Sequence, residues 1–419
     1  MKVVVVALGK IGLPLAAHIA RAGHEVIGCD IDARVVGQVN AGVAPFPGET
    51  GLEALLAETV GSGALRAQAD TVAALAEAPD FAILVPPLAL DASHRPDWHL
   101  LDRAFDEVGR GLRAGTTVSV ETTVPVGTTR TRLAPALAAA SGLVSEQDFF
   151  CVFSPERVYS GRVFEDLDTY PKLVGGLSEA GEARGVDAYR AFITAEVRGM
   201  GSAEAAEMTK LVETTYRDVN IALANEFARF SASRDIDLPR VIEAANSQPF
   251  SHVHQPGIAV GGHCIPIYPH LYLSEDPDAV LPRVAREVNV AMPAFAVDQL
   301  ARAAGDLSGL RVLILGVAFR GGVKETAYSG AFPLRDALLA RGAVVVAADP
   351  LYADDELTAL GFTPWDRGPL DAAMVQADHA EYRRLEPADL PGVRAVLDGR
   401  RVVDPRPFDA AGIPVATIG

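Results

Sequence analysis

Short, continuous apolar runs alternate with helical patterns along this chain. The first of these runs cover residues 3–8, 81–85 and 149–153, and a further strand is predicted at 117–120. Strands buried on both faces of a parallel sheet read as unbroken apolar segments, so we assign the runs to one sheet. A helical stretch over 13–22 and a strand over 25–29 follow the first run. Strands that alternate with helices in this way predict a doubly wound α/β domain.

A long helical pattern over residues 202–233, without proline or interior glycine, interrupts this alternation. A second helix is predicted over 283–303, with Pro293 as a kink or break. A second set of strands follows, at 311–316, 343–348, 374–375 and 401–403. We therefore predict an α/β fold in which a long-helix α-helical core joins two Rossmann-like domains. The predicted boundaries are 1–198, 199–303 and 304–419.

Composition narrows the possible partners of the chain. Its 419 residues are 49% hydrophobic and 22% charged, with a formal net charge of −17. This charge argues against a nucleic-acid or anionic-membrane surface. The three cysteines, Cys29, Cys151 and Cys264, do not form a disulfide framework, which favours a cytoplasmic protein. No segment has the length of a signal h-region or a transmembrane helix, so we expect no membrane anchor.

The turn after the first strand has the features of a dinucleotide site. Gly9-Lys10-Ile11-Gly12 opens the first helix, where free N–H groups and close backbone approach suit a pyrophosphate. Asp30 ends the second strand, at the position of an acid that binds ribose hydroxyls and disfavours NADP. The first glycine of the fingerprint is Ala7, so an ordinary strand–helix turn is the alternative. We predict NAD.

Cys264 lies in an unusual segment, Val260-Gly261-Gly262-His263-Cys264-Ile265-Pro266. Glycines allow a ligand or backbone to approach closely, and the proline stiffens the exit from the turn. A thiol there is suited to attack an electrophilic carbon. The alternative is an inert cysteine that acts as a small hydrophobe.

Three further segments place polar groups among apolar residues. Glu121-Thr122-Thr123-Val124-Pro125 and Ser154-Pro155-Glu156-Arg157 each follow a strand, at the edge of the sheet where ligands bind. Lys210 lies within the long helix. The plainer interpretations are turn or capping residues for Thr123 and Glu156, and a solvated helix lysine for Lys210.

Together, and in this order, the segments resemble the nucleotide-sugar 6-dehydrogenase family (UDP-glucose, UDP-N-acetylmannosamine and GDP-mannose dehydrogenases). The matching segments are 9–14, 121–127, 154–158, 208–211, 216–220, 261–266 and 397–400. The resemblance implies an N-terminal NAD domain, a helical core that forms a homodimer and a C-terminal domain that binds the nucleotide sugar. It implies no metal.

The resemblance also implies a four-electron oxidation of the sugar C6 alcohol to a uronic acid, with two NAD. Cys264 would form a thiohemiacetal and then a thioester. Lys210 would stabilise the oxyanions, and Glu156 and Thr123 would activate water and relay protons. The implied cofactor-binding residues are Gly9, Lys10, Ile11, Gly12, Asp30, Val85 and Thr123. The implied substrate-binding residues are Glu156, Arg157, Lys210, Thr214, Tyr268, Gly261, Arg320 and Arg400.

Several positions depart from the family pattern. Thr214 replaces an asparagine, and Tyr268 replaces an aspartate thought to support hydrolysis. A phenol with an ordinary pKa of about 10 is not a base near neutrality. Losing a general base costs about 10²–10⁴ in rate, unless Glu156 takes over its task. Ala327 and Phe250 replace arginines. The segment after the fourth strand, Val85-Pro86-Pro87-Leu88, also departs from the family pattern.

These departures cluster on the substrate side, which favours altered specificity toward a UDP-, TDP- or GDP-linked sugar of specialised metabolism. Two other hypotheses stay open. The first is a two-electron dehydrogenase that releases the aldehyde. The second is a non-catalytic nucleotide-sugar-binding homologue, against which the joint presence of Cys264, Lys210, Glu156 and Thr123 argues.

Overall fold

The computed structural model describes residues 1–159, 161–234 and 236–419. They form two compact units. The first comprises Met1–Glu213 and His270–Pro277, and the second comprises Thr214–Pro269 and Asp278–Gly419.

The first unit is built on a mainly parallel sheet. Its strands are β1 (Lys2–Val6), β2 (Glu25–Cys29), β3 (Leu65–Gln68), β4 (Phe81–Leu84), β5 (Ala89–Leu90), β6 (Pro96–Asp97), β7 (Thr117–Val120), β8 (Phe150–Phe153), β9 (Lys172–Gly176) and β10 (Val197–Gly199). Eight of them form one sheet in the order β10-β9-β8-β7-β4-β1-β2-β3, and β5 pairs with β6. Neighbours in the large sheet are parallel, except that β9 runs antiparallel to β8. This arrangement confirms the predicted α/β class.

Helices connect these strands. They are α1 (Gly12–Arg21), α2 (Ala33–Asn40), α3 (Leu52–Gly61), α4 (Thr71–Ala76), α5 (His99–Gly111), α6 (Ala134–Ser141), α7 (Val163–Thr169) and α8 (Glu179–Arg190), with a π-helical turn at Thr129–Leu133. The central strands β4 and β8 are buried along their whole length, as their unbroken apolar runs predict. The strand β7 between them is equally buried, although it contains Thr117 and Ser119. Cys29 and Cys151 lie in the buried strands β2 and β8.

Helices also precede the second sheet. They are α9 (Ala203–Ala232), which contains the boundary between the units, α10 (Leu238–Asn246), α11 (Tyr268–Glu275) and α12 (Val280–Ala304). The strands of the second sheet are β11 (Arg311–Leu315), β12 (Val344–Ala348), β13 (Ala372–Val375), β14 (Ala395–Asp398) and β15 (Val415–Thr417). They run parallel in the order β12-β11-β13-β14-β15. The remaining helices are α13 (Ala331–Ala340), α14 (Asp354–Ala359) and α15 (Arg406–Ala410), with 3₁₀ turns at Ala380–Arg384 and Pro387–Asp389.

Two sequence predictions need correction. The strand expected at 401–403 is wrong, because β14 lies at Ala395–Asp398 and the valines after it form a loop held by the Val403 N–H donating to the Asp398 carboxylate at 2.7 Å. Of the kink or break predicted at Pro293, the break does not occur, since α12 continues through this residue, and the kink stays a prediction. In the part of the chain that the structure describes, no helix combines the length and apolar character needed to cross a membrane.

Candidate functional site

The turn after β1 brings the backbone close to the start of α1. A Cβ atom at Gly12 would lie 2.0 Å from the Ala7 carbonyl oxygen, so only glycine fits there. Ala7 itself has φ of 75°, the left-handed conformation that the missing fingerprint glycine adopts easily. No side chain caps the N-terminus of α1, and its first turn holds no acid. This arrangement fits a pyrophosphate.

Asp30 lies at the end of β2 beside this turn. Its carboxylate accepts hydrogen bonds from the Leu8 N–H at 2.8 Å and the Asp32 N–H at 2.9 Å. Each carboxylate oxygen retains a second lone pair for a ribose hydroxyl. Val85 follows β4, and its N–H donates to the Val6 carbonyl at 3.0 Å. The structure therefore gathers Gly9, Gly12, Asp30 and Val85 at one edge of the sheet, and these residues fit NAD.

The same unit joins two of the predicted catalytic residues. The Lys210 Nζ, on α9, donates to the main-chain oxygen of Glu156 at 2.6 Å. The Glu156 carboxylate turns back on its own loop and accepts the N–H groups of Arg157 at 2.6 Å and Val158 at 2.9 Å. Its other oxygen lies 3.1 Å from the Lys172 ammonium. Its role as a base or a water-positioning group stays a prediction.

Behind Glu156 lies a buried charge cluster that sequence reasoning missed. The Lys172 Nζ, at the start of β9, is 3.0 Å from a carboxylate oxygen of Glu121 as well as 3.1 Å from Glu156. The Tyr189 hydroxyl donates to Glu121 at 2.6 Å and lies 2.8 Å from the Ser119 hydroxyl. Glu121 appeared in the sequence only as part of a motif. The sequence did not single out Lys172, because a lysine at a strand terminus usually faces water.

The cluster shifts the ionisation of its members. Burial raises the pKa of Glu121 to about 7, against the opposing effect of the Lys172 charge. Burial also disfavours ionised Glu156, but Lys172 and the two backbone N–H groups overcome it and hold the pKa of Glu156 below its ordinary value. Burial alone would lower the pKa of Lys172, yet the two carboxylates keep it raised. Ionised Glu156 next to a titratable Glu121 is an arrangement that can hold and move a proton.

A second carboxylate supports the loop that contains Thr123. Glu207, on α9, accepts the Gly127 N–H at 2.5 Å and both the N–H and the hydroxyl of Thr129, at 2.8 and 2.6 Å. Burial raises the pKa of Glu207 to about 7. Thr123 is itself buried, in the segment that follows β7. The role of Thr123 stays a prediction. The guanidinium of Arg157 pairs with Glu213 at 2.6 Å, and the substrate contact expected of Arg157 also stays a prediction.

Cys264 lies in the second unit, in the loop before α11. It is half-buried, whereas Cys29 and Cys151 are buried. The Cys264 carbonyl accepts the N–H groups of Ile267 at 3.1 Å and Tyr268 at 2.9 Å. These contacts fix the backbone of the cysteine at the beginning of a helix.

The glycines before Cys264 pack against the loop at 319–328. A Cβ atom at Gly261 would lie 2.7 Å from the Phe319 side chain, so the approach requires glycine. The Gly262 N–H donates to the Ala327 carbonyl at 2.9 Å, and Gly262 has φ of 92°. Ala327, where the family has an arginine, therefore contacts the cysteine loop through its backbone.

Arg400 contacts the same loop. Its guanidinium donates to the Phe319 carbonyl at 3.0 Å and the Gln376 carbonyl at 2.7 Å. The Arg320 guanidinium carbon lies 5.7 Å from the centre of the Phe319 ring. The structure thus gathers Gly261, Arg320 and Arg400 around Phe319. Their contacts with a substrate stay predictions.

The predicted residues are divided between the two units. Lys210, Glu156 and Thr123 belong to the first, and Cys264 and Tyr268 belong to the second. Thr214 is buried on α9, at the start of the second unit. The joint action of Cys264 and Lys210 stays a prediction.

Three family models match successive parts of the chain. The NAD binding domain of the UDP-glucose/GDP-mannose dehydrogenase family matches residues 1–193, its central domain matches 204–290 and its UDP binding domain matches 313–406. The predicted boundaries at 198 and 303 stay predictions.

Relatives match over almost the whole chain. UDP-N-acetyl-D-mannosamine dehydrogenase from Pyrococcus horikoshii is 34% identical over 418 residues, which covers 97% of each protein. A solved structure of the UDP-D-ManNAc dehydrogenase from this organism superimposes with a TM-score of 0.90 at 31% identity, and the match covers 100% of this chain and 99% of that one. A UDP-glucose dehydrogenase structure from Pyrobaculum islandicum gives a TM-score of 0.87 at 26% identity, with 100% and 97% covered.

Proposed function

Because the chain belongs to the UDP-glucose/GDP-mannose dehydrogenase family of NAD-dependent enzymes, we propose that it oxidises the C6 alcohol of a nucleotide-linked hexose to the carboxylate through Cys264. The half-buried state of Cys264 carries this proposal. Burial raises the pKa of the Cys29 thiol to about 12 and raises that of Cys151 as well. We therefore assign the thiolate chemistry to the third cysteine, Cys264.

The proposed reaction balances over four steps. A hydride leaves C6 for NAD and the hydroxyl proton leaves for a base, which gives an aldehyde. The Cys264 thiolate then forms a carbon–sulfur bond, and the aldehyde oxygen becomes an oxyanion. Loss of a second hydride to another NAD gives a thioester. Water then breaks the carbon–sulfur bond and restores the thiol. The sum is one alcohol, one water and two NAD⁺ converted to one carboxylate, two NADH and three protons.

We assign roles in this scheme to the residues of both units. The turn at Gly9–Gly12 and Asp30 would hold the pyrophosphate and ribose of NAD, which when bound would supply the hydride acceptor. The Lys210 ammonium stabilises each oxyanion. Ionised Glu156 takes up protons, and Thr123 orients the water. Arg320 and Arg400 hold the nucleotide phosphates.

The substrate we propose is a UDP-linked hexose, because the C-terminal part matches the family's UDP binding domain. The named relatives make UDP-N-acetylmannosamine the first sugar to test. Ala327, Phe250, Thr214 and Tyr268 depart from the family on the sugar side, so we expect a specificity different from that of a UDP-glucose dehydrogenase.

A substrate panel tests this proposal. The protein is incubated with NAD and UDP-, TDP- or GDP-linked hexoses, with and without an N-acetyl group, and kcat/KM is compared across the panel. A 2-acetamido UDP-sugar turning over well above UDP-glucose supports the proposal. UDP-glucose turning over far better than every other sugar would refute the altered specificity, and turnover of none would support the non-catalytic alternative.

One observation favours the two-electron alternative. Tyr268 occupies the position of the family's aspartate, so hydrolysis of the thioester has one base fewer. If the second oxidation fails, the thiohemiacetal breaks its carbon–sulfur bond again and releases an aldehyde, which hydroxylamine traps as an oxime. If only hydrolysis fails, the thioester stays on Cys264 and hydroxylamine releases it as a hydroxamate. An oxime as the main product would establish the two-electron reaction.

We also propose that the protein forms a homodimer and acts in the cytoplasm. One face of α9 exposes large apolar side chains at Tyr216, Leu223, Phe227 and Phe230. An exposed stripe of this kind marks an association surface, and a second copy would cover it. Phe227→Asp should convert the dimer into a monomer in light scattering, and an unchanged mass would exclude this face. The location rests on the three free cysteines, which are typical of a reducing compartment.

A further inference from the structure

A buried polar cluster links α9 and α12 in the second unit. Its members are Asp218 and Asn225 on α9, and Arg286 and Asn289 on α12, each at most 8% exposed. The Arg286 guanidinium lies 2.9 Å from the Asp218 carboxylate. The Asn289 amide donates to the same carboxylate oxygen at 2.8 Å, and the Asn225 amide donates to Asn289 at 2.8 Å. The four side chains form one continuous network.

The two outer contacts of this network reach the two ends of the cysteine loop. The Asn225 side-chain oxygen accepts the Gly257 N–H at 3.0 Å. The Arg286 guanidinium donates to the carbonyl of Ile265 at 3.3 Å. Ile265 directly follows Cys264, so the second contact lies one peptide bond from the thiol-bearing residue.

The cluster is a costly way to stabilise a helix pair. Burying charges loses hydration energy, and apolar residues of similar volume often give equal stability. Among the described residues, Asp218 Oδ2 and Arg286 Nε are buried without a hydrogen-bond partner. Burial also raises the pKa of Asp218 to about 6, because loss of hydration disfavours its charged form. A network that leaves polar atoms unsatisfied, yet reaches both ends of one loop, is better explained by positioning than by stability.

We propose that Arg286, held by Asp218, is a positioning residue for Cys264, and that the network through Asn289 and Asn225 fixes both ends of the loop at 257–265. Arg286 acts through the Ile265 carbonyl and holds the backbone that presents the thiol. This inference rests on the proposed function, in which Cys264 is the nucleophile. Asp218 and Arg286 were not among the residues that sequence reasoning assigned to the site.

The test compares Arg286→Met and Arg286→Lys with Arg283→Met. Arg283 lies one turn earlier on the same helix, is exposed, and pairs with Glu287 at 3.6 Å. It therefore controls for the loss of a helix arginine. The full-length proteins are alkylated with iodoacetamide, and the rate at Cys264 is read by peptide mass spectrometry. Cys29 and Cys151 report in the same spectra on whether the fold is intact, because both are buried.

We expect Arg286→Met to accelerate alkylation of Cys264, because the loop gains freedom, while Cys29 and Cys151 stay protected. With the sugar found by the panel, kcat should fall by about 10²-fold, the loss expected for a misplaced reacting group, with KM little changed. Arg286→Lys should recover part of both effects, and Arg283→Met should match wild type.

An unchanged or slower alkylation rate at Cys264 in folded Arg286→Met would overturn the inference. If this variant exposes Cys29 and Cys151, Asn225→Ala replaces it and the same criterion applies. This change removes the contact with Gly257 and the one with Asn289, and leaves the contact of Arg286 with Ile265 in place. The alkylation rates need no turnover. A wild-type protein inactive on every sugar would therefore refute the proposed function and still leave the positioning of Cys264 measurable.

Discussion

Removing the Lys172 ammonium is the sharpest perturbation of the buried charge cluster. Lys172→Met keeps much of the side-chain volume but leaves Glu121 and Glu156 facing each other without the cation that lies 3.0 and 3.1 Å from them. The Lys172 side chain is 6% exposed and that of Glu121 is 0% exposed, so water compensates little. Breaking a buried pair in this way costs about 3–5 kcal/mol.

The loss should depend on pH. Without Lys172 the pKa of Glu121, which burial already raises, rises further, and the pKa of Glu156 loses the cation that helps to hold it below its ordinary value and also rises. A carboxyl group whose pKa is raised in the folded state stabilises the fold only while it stays protonated. The variant should therefore lose stability more steeply than wild type as pH rises from about 5 to 8. Lys172→Met/Glu121→Gln should recover part of the loss, because the double change removes one of the two facing charges.

Urea unfolding measures these effects. A Trp365→Phe background leaves Trp98 of the first unit as the fluorescence reporter, and the free energies follow by linear extrapolation. Lys2→Met is the matched control, since Lys2 also bridges two glutamates, Glu25 and Glu77, but at the surface. Its unfolding curve should match the background. The reasoning is refuted if Lys172→Met unfolds at the same urea concentration as Lys2→Met at pH 8.

Three further predictions concern single positions. Ala7→Gly should raise the free energy of unfolding by about 1 kcal/mol, because it removes the strain of an alanine in the left-handed conformation. An unchanged free energy of unfolding in the urea assay would contradict backbone strain at Ala7. Burial raises the pKa of Glu207 to about 7, so ionisation of this group lowers the free energy of unfolding as pH rises through that value. Glu207→Gln should therefore make the free energy of unfolding less dependent on pH between about 5 and 8. The same slope of free energy against pH in the variant and the wild type would contradict this. Cys264→Ser should abolish formation of the acid while the first oxidation survives; acid at the wild-type rate, measured by mass spectrometry, would exclude the covalent route.

Local patterns were sufficient to predict much of the fold. The valine run of β1, the glycines after it and the uninterrupted helix α9 each depend on residues close in sequence, and the structure confirms them. The strand predicted at 401–403 failed because paired valines have a high strand propensity in any context. Their loop conformation depends on Asp398, which accepts the Val403 N–H.

The candidate site was predictable where one segment forms it. Gly12 and Asp30 follow from a motif, and Cys264 follows from its flanking glycines. Lys172 and Glu121 are 51 residues apart in the sequence. They come together only because β9, which contains Lys172, pairs antiparallel with β8. Arg286 likewise reaches the cysteine loop from a helix that follows it in the chain. Such pairs leave no local pattern for sequence reasoning to find.

The number of NADH molecules formed per sugar tests the central claim most directly. With limiting UDP-sugar and excess NAD, absorbance gives the NADH and mass spectrometry gives the product. Our account predicts two NADH for each sugar consumed and a C6 carboxylate. One NADH per sugar, with the aldehyde as the final product, would contradict it.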